Sequence, residues 1–295
     1  MNSRLHRRLL AYLQLTRPYC PLLLGSSVVL GEIIALGGVP TTKQASLGFF
    51  SALLLVASSF VLNDYLDVEV DRVNCPDRPI PAGLVSKRAA LIYSTILAVS
   101  GSALAMILGF FPFVLALLTF LLSVWYSLSG KQTGVVGNMT VAFCVAQPFV
   151  YGAMIATSSL NLSIIMIFLL AFLSNAGREV ANGIVDATGD AIKNVRSIAI
   201  VHGSRAAALL ASVFFLLTAI TGPILSWYSS GSLGDLDRTI LPIIVAEIGF
   251  VYSSVHLIRN PNRKAALKVA KQANVWMILV VLTFLTQHIM RALRI

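Results

Sequence analysis

Charge is thin in this chain, and acidic charge thinnest of all: Asp and Glu together number 12 of 295 residues, and all charged types make up 12%, about half the share of a soluble globular domain. Cysteine is nearly as sparse. Cys20, Cys75 and Cys144 stand apart with no C-x-x-C spacing, which supports neither a thiolate metal site nor a disulfide framework and leaves small apolar fillers. Long linkers and low-complexity tracts are missing too. The connections read as short turns marked by Gly and Pro, such as Gly37-Gly38-Val39-Pro40 and Phe110-Phe111-Pro112, so a single domain spanning 1–295 is expected.

Apolar sequence fills the rest, at 57% hydrophobic residues and a mean hydropathy of +0.84. That composition predicts an all-α polytopic membrane protein, one bundle around a central cavity. A helix needs about 20 apolar residues to cross a hydrocarbon layer of ~30 Å. Nine such stretches are read at roughly 18–39, 45–63, 88–109, 111–128, 135–157, 162–181, 206–228, 240–258 and 273–290. The Arg-rich start, followed by Leu9 to Leu15, resembles a signal peptide. Arg17-Pro18 interrupts that run and no small-residue cleavage site follows, so retention is expected.

Positive loops stay cytoplasmic. With the N-terminus inside, every one of the 22 Lys and Arg residues falls on the inner side except Lys43, Arg238, Arg291 and Arg294. A net charge of +10 raises nucleic acid as a partner, but short loops offer no basic domain to hold a duplex, and none is expected. Membrane lipid headgroups and phosphorylated substrates suit the charge better.

The few acids are not scattered. Asn63, Asp67 and Asp71 follow an Asn-x3-Asp-x3-Asp spacing that returns at Asn182, Asp186 and Asp190, and Asp64 and Asp77 join the first copy. On a helix, positions four apart lie one turn above each other, so each copy predicts one polar stripe. Ordinary capping or solvation of a helix end accounts for one such residue. It fails for six acids, since an Asp in hydrocarbon costs ~2.5–3.5 kcal/mol. Carboxylates one turn apart also repel unless a cation lies between them.

With no His or Cys in either stripe, the ligands are oxygens and the expected ion is hard; Mg²⁺ takes one or two carboxylates and leaves room for water and phosphate. The candidate ligands are Asn63, Asp64, Asp67 and Asp71 in the first copy and Asn182, Asp186 and Asp190 in the second. A diphosphate between the stripes would complete both shells, and Arg72, Arg78, Lys131 and Arg196 are the cations expected on its free oxygens. Charge and turn residues concentrate in the loops at about 64–87 and 182–205, which are expected to carry function. Each stripe closes a helix and precedes a basic loop, which suggests an internal duplication with the stripes related by a pseudo-twofold axis along the membrane normal.

The run Asn63-Asp64-Tyr65-Leu66-Asp67-Val68-Glu69-Val70-Asp71-Arg72, continuing to Asp77-Arg78-Pro79-Ile80-Pro81-Ala82-Gly83, closely resembles the first signature of the UbiA superfamily of intramembrane prenyltransferases. Asp186-Ala187-Thr188-Gly189-Asp190 is similar to its second, D-x-x-x-D. The resemblance implies a nine-helix fold with both motifs on the cytoplasmic face. It further implies transfer of a prenyl group from an allylic diphosphate, with Asn63, Asp67, Asp71, Asp186 and Asp190 as the catalytic metal-diphosphate residues. It makes Lys131 a diphosphate-contacting lysine and puts Arg17, in Leu15-Thr16-Arg17-Pro18, near the site.

Gly177-Arg178-Glu179-Val180 and Arg196-Ser197-Ile198-Ala199-Ile200 look most like the archaeal members that form the second ether bond of membrane lipids. That likeness implies geranylgeranyl diphosphate as donor and an anionic, hydroxyl-bearing acceptor, geranylgeranylglyceryl phosphate. Quinone-pathway members that prenylate 4-hydroxybenzoate often carry an Arg-Thr pair where this chain has Asn74-Cys75-Pro76-Asp77, which lowers that alternative. The expected chemistry is ionisation of the allylic C1–O bond, with rings such as Tyr65, Tyr126 or Phe143 facing the cation. A cation-coupled transporter is the non-enzyme alternative, because intramembrane acids also mark ion pathways. Glu32 and Glu247, alone in apolar segments, fit none of these readings.

Overall fold

The computed structural model describes the backbone of residues 2–192, 195–230 and 233–293, and side chains at 6–73, 75–187, 195–225, 227, 241–287 and 290. Among the described residues every regular element is helical: α1 (Asn2–Thr16), α2 (Tyr19–Leu36), α3 (Thr42–Leu66), α4 (Val68–Asn74), α5 (Lys87–Ile107), α6 (Phe110–Leu128), α7 (Val135–Thr157), α8 (Leu162–Ile192), α9 (Ile198–Val201), α10 (Gly203–Ser230), α11 (Leu233–Arg259) and α12 (Arg263–Leu293), with a 3-10 turn at Gly130–Thr133. Nine of them, α2, α3, α5 to α8 and α10 to α12, are long and apolar enough to cross a bilayer. The chain is a multi-pass membrane protein. Its outer face carries exposed Ile96, Val99, Phe110, Ile220 and Ile248, a surface that lipid tails solvate as well as protein would.

Each expected span falls on one of these helices, but two boundaries move by ten residues or more. α12 starts at Arg263 rather than near 273, and α8 runs to Ile192 rather than stopping near 181. A charged opening hid the first: Asn262 caps it by accepting from Ala265 N at 3.0 Å. Ala265, Ala266, Val269, Ala270 and Ala273 then supply a buried stripe, most of it against α8 and α11. Capping also fixes α3, where Thr41 and Gln44 form a reciprocal box, and α5, where Ser86 accepts from Ala89 N.

The packing of α2 on α7 closes one end of the bundle interior. At Gly31 a methyl group would run into the Phe149 backbone, and at Gly152 into the Val28 carbonyl, so these two helices touch backbone to backbone. Such small-residue contacts are how helices associate where lipid offers no hydrophobic drive. Gly152→Val is therefore expected to destabilise the protein by about 1–3 kcal/mol, read as a lower melting temperature in detergent. An unchanged melt would show that α2 and α7 have room to part.

Glu32 and Glu247 are both buried and have no hydrogen-bond partner among the described residues. Each carboxyl lies against a glycine of the neighbouring helix, Glu32 against Gly48 and Glu247 against Gly222. At the other end, Ala11 and Leu15 of α1 pack with Ala57 and Val61 of α3 and with Ile80 and Val85 from the loop after α4.

Candidate active site

Three chain segments meet at the end of the bundle where α3 finishes: the junction of α1 and α2, the loop after α4, and the turn after α6. The helix does not carry the first motif straight through. α3 stops at Leu66 and α4 starts at Val68, with Asp67 at φ −86° and ψ 5° between them. The backbone bonds Asp67 N to Asn63 O (2.9 Å) and Asp71 N to Asp67 O (2.8 Å) persist. The expected stripe carries two separate ionic groups.

In the first group, Lys131 Nζ donates to Asp67 Oδ2 at 2.5 Å. With its amide oxygen turned toward the donors, Asn63 accepts from the same ammonium at 2.7 Å and donates to Asp67 Oδ2 at 3.2 Å. Two motif oxygens thus collect one cation. In the second group, Asp64 and Asp71, read from sequence as cation ligands, face guanidinium groups. Asp64 Oδ1 accepts from Arg17 at 2.6 Å and Arg78 at 3.3 Å, and Asp71 Oδ2 accepts from Arg78 at 2.6 Å. Both carboxylates are buried, at 6% and 8% side-chain exposure, and a carboxylate so desolvated needs a partner charge.

Local sequence explains how the arginines arrive. Arg17 adopts a left-handed φ of 47° at the α1–α2 junction, a conformation that costs a non-glycine residue of order 1 kcal/mol. Its bond to Asp64 and its seat 5.0 Å over the Phe60 ring hold it there. Arg78 is carried on a loop that folds back on itself, with Pro79 O accepting from Leu84 N and Val85 N and with buried Ile80 and Val85 as anchors. Burial works against the charge on Arg78, but the hydrogen bond to Asp71 and the charges of Asp64 and Asp71 outweigh it, holding the guanidinium above its ordinary value.

From this ionic end a cavity of about 370 Å³ runs into the bundle between α2, α3, α6 and α7. Arg17, Asn63, Ser127 and Lys131 line its mouth, and Val28, Ala52, Leu55, Ala116, Pro148 and Tyr151 line its depth. From Asn63 to Ala52 it follows α3 for ~16 Å at 1.5 Å per residue. The expected cavity is thus built by α2, α3, α6 and α7, and its described lining includes no residue from α8 onward.

The second motif sits on unbroken α8. Asn182 is half-buried and Asp186 exposed, while the side chain of Asp190 lies outside the described residues. Glu179, one turn before Asn182, pairs with Arg178 at 2.8 Å, and Arg178 Nε donates to Asn175 at 3.2 Å. The polar face of α8 is therefore longer than the motif. The i, i+3, i+4 spacing of 175, 178, 179, 182 and 186 was the signal that could have revealed it. The loop beyond returns to the first half: Arg196 N donates to Gln132 O at 3.4 Å, and any side chain at Gly134 would strike the Arg196 carbonyl. Arg196 thus lies beside the turn that carries Lys131.

Other candidates disperse. Arg72 is exposed and pairs with Glu69 at 2.9 Å, apart from the arginines on Asp64 and Asp71. Tyr126 lines the cavity, but Tyr65 lies under the Lys87 ammonium at 5.1 Å and Phe143 packs edge-on against Phe168 at 5.9 Å. Phe60 and Phe120 line the cavity instead; nothing in one sequence separates them from the chain's other 13 Phe residues.

Among the described residues, no three His, Cys, Asp or Glu side chains converge to hold a metal by themselves. The donor set nevertheless fits Mg²⁺, which asks of a protein only one or two carboxylates and takes phosphate oxygens for the rest. Asn63 and Asp67 already share one positive charge.

Fold and site together define an intramembrane protein built around a chamber with an ionic mouth and an apolar depth. The description of the UbiA prenyltransferase family matches residues 24–279. A digeranylgeranylglyceryl phosphate synthase from Thermococcus kodakarensis is 34% identical over 283 residues, covering 95% of this chain and 99% of the relative. A solved structure of digeranylgeranylglyceryl phosphate synthase superimposes with a TM-score of 0.82 at 25% identity, covering 96% of this chain and 99% of that one. A UbiA homologue from Archaeoglobus fulgidus, bound to GPP and Mg²⁺, shares the fold with a TM-score of 0.70 at 18% identity over 93% of this chain and 99% of its own. This chain belongs to the UbiA prenyltransferase family and is a prenyltransferase. The transporter alternative is set aside by that membership.

Proposed function

We propose that this protein transfers a geranylgeranyl group from geranylgeranyl diphosphate to the free hydroxyl of geranylgeranylglyceryl phosphate, forming the second ether bond of archaeal membrane lipids. The shape of the chamber carries the reading. Cationic Arg17 and Lys131 at the mouth suit a diphosphate, and the apolar depth suits an isoprenoid tail. The named relatives supply the acceptor class. Positive-inside charge puts the mouth and the N-terminus on the cytoplasmic side.

In this reading Asn63, Asp67 and Asp71, with Asp186 and Asp190 of α8, would hold Mg²⁺, which when bound would neutralise charge on the leaving diphosphate. Lys131 exchanges Asp67 for a diphosphate oxygen. Arg17, braced by Asp64, binds another, and Arg78 keeps Asp64 neutralised as it gives up Asp71 to the cation. The C1–O bond breaks heterolytically, diphosphate takes the electron pair, and the allylic cation lies among Phe60, Phe120 and Tyr126. The acceptor hydroxyl then bonds to C1 and its proton passes to the released diphosphate. The walls of the chamber keep water from quenching the cation.

Product analysis tests the assignment. Geranylgeranyl diphosphate is offered with geranylgeranylglyceryl phosphate and 4-hydroxybenzoate together, with Mg²⁺ and again with excess chelator. The expected outcome is the diether product alone, abolished by the chelator. Prenylated hydroxybenzoate alone would overturn the acceptor, and undiminished product with chelator would overturn the metal.

A further inference from the structure

The chamber ends at one level on four helices. Val28 of α2, Ala52 of α3, Ala116 of α6 and Tyr151 of α7 are its deepest lining residues, and all four are buried, whereas one or two turns nearer the mouth the lining side chains are half-buried. Asn63 to Ala52, Ser127 to Ala116 and Thr140 to Tyr151 each span ~16 Å at 1.5 Å per residue. The void therefore stops against a floor. Its four residues belong, with Leu55, Ala105 and Ile155, to one apolar cluster.

Two features keep this floor from yielding. Ser51 Oγ donates to Gly101 O at 2.9 Å, so it accepts from the Tyr151 hydroxyl at 3.0 Å, and the ring is tied through α3 to α5. Behind it, a methyl group at Gly152 would strike the Val28 carbonyl, and one at Gly101 would meet Leu55 and the Ser51 carbonyl. Helices already packed this closely have nowhere to retreat. Ala52 and Ala116, by contrast, offer the void one methyl group each, so the room at this level is set by two small residues and one fixed ring.

We infer that the floor measures the donor: Tyr151, held through Ser51, stops the far end of the prenyl tail beside Ala52 and Ala116 and so sets the longest isoprenoid chain that the protein transfers. The inference rests on the transfer reading above and adds the residues that select chain length. A tail one isoprene unit too long must either buckle or draw its C1 away from the mouth. In a closed apolar pocket a single methylene already changes kcat/KM by about tenfold or more.

The test offers farnesyl, geranylgeranyl and geranylfarnesyl diphosphates separately, with geranylgeranylglyceryl phosphate as acceptor and Mg²⁺ present, and compares kcat/KM. For the wild-type protein the value is expected to fall at least about tenfold from the geranylgeranyl to the geranylfarnesyl donor. Ala116→Phe, which puts a ring into the void rather than into packed core, is expected to raise the farnesyl-to-geranylgeranyl ratio about tenfold. Ala52→Phe gives the same readout from α3 if the first variant does not fold. Tyr151→Ala, which leaves Ser51 bonded to Gly101 O, is expected to bring the geranylfarnesyl donor to within about threefold of geranylgeranyl. A wild-type protein that uses the longest donor as well as the geranylgeranyl one, or floor variants that keep the wild-type ratios, would overturn the inference while leaving the transfer reading intact. Transfer from none of the three donors would instead overturn the reading and the inference with it.

Discussion

Asp67→Ala is expected to lower kcat by about a thousandfold, the upper range for removing one electrostatic contributor at a reacting centre, and to leave the bundle folded. Asp67 stands at the break between α3 and α4, 27% exposed, paired with a Lys131 that is 29% exposed. A pair so open to water adds at most about 1 kcal/mol to stability, and the substitution opens no core cavity. Its carboxylate is, however, the motif oxygen nearest the lysine that lines the mouth. Losing it removes both the anchor for Lys131 and a ligand for the cation. Single-turnover rates and a detergent melt on the same preparation would check this. Substantial activity in the variant would remove Asp67 from the chemistry.

Asp64→Ala is expected to fail differently, although only three positions separate the two residues. Asp64 is 6% exposed and binds Arg17 and Arg78, themselves 37% and 34% exposed. Removing a buried partner from a charge network is usually costly; with both arginines partly solvated the loss is discounted to about 2 kcal/mol. Arg17 also loses the bond that holds its left-handed backbone, so donor binding weakens as well. The expected signature is a lower melting temperature together with a raised KM for the donor, where Asp67→Ala changes kcat. Asp64→Asn keeps a hydrogen-bond acceptor for Arg17 and should fall between. An Asp64→Ala protein that melts like wild type would show that the arginines do not depend on it.

Sequence alone made the spans legible, because runs such as 45–63 and 111–128 are too apolar and too long for anything but a membrane helix. It made the motif residues legible through spacing. It did not reveal that Asp67 interrupts the helix, because the i to i−4 backbone bonds continue through the break and no Gly or Pro marks it. Nor did it divide the acids between two jobs. Asp64 and Asp71 are distinguished from Asp67 by which cation reaches them, and Arg17 and Arg78 come from segments remote in sequence that Leu15, Ile80 and Val85 dock beside Val61 and Val68. The suggested duplication predicted matching stripes. The local geometry differs, with one stripe broken at Asp67 and the other on continuous α8.

The central claim is that one chamber between α2, α3, α6 and α7 takes the donor head-first at Lys131 and Arg17. A structure determined with Mg²⁺ and a non-hydrolysable thiodiphosphate analogue of geranylgeranyl diphosphate tests it most directly. The account predicts the diphosphate against Lys131, Arg17, Asn63 and Asp67, with the tail running past Phe60 toward Val28 and Tyr151. A tail lying elsewhere in the bundle, or a diphosphate bound away from Asp67 and Lys131, would contradict it.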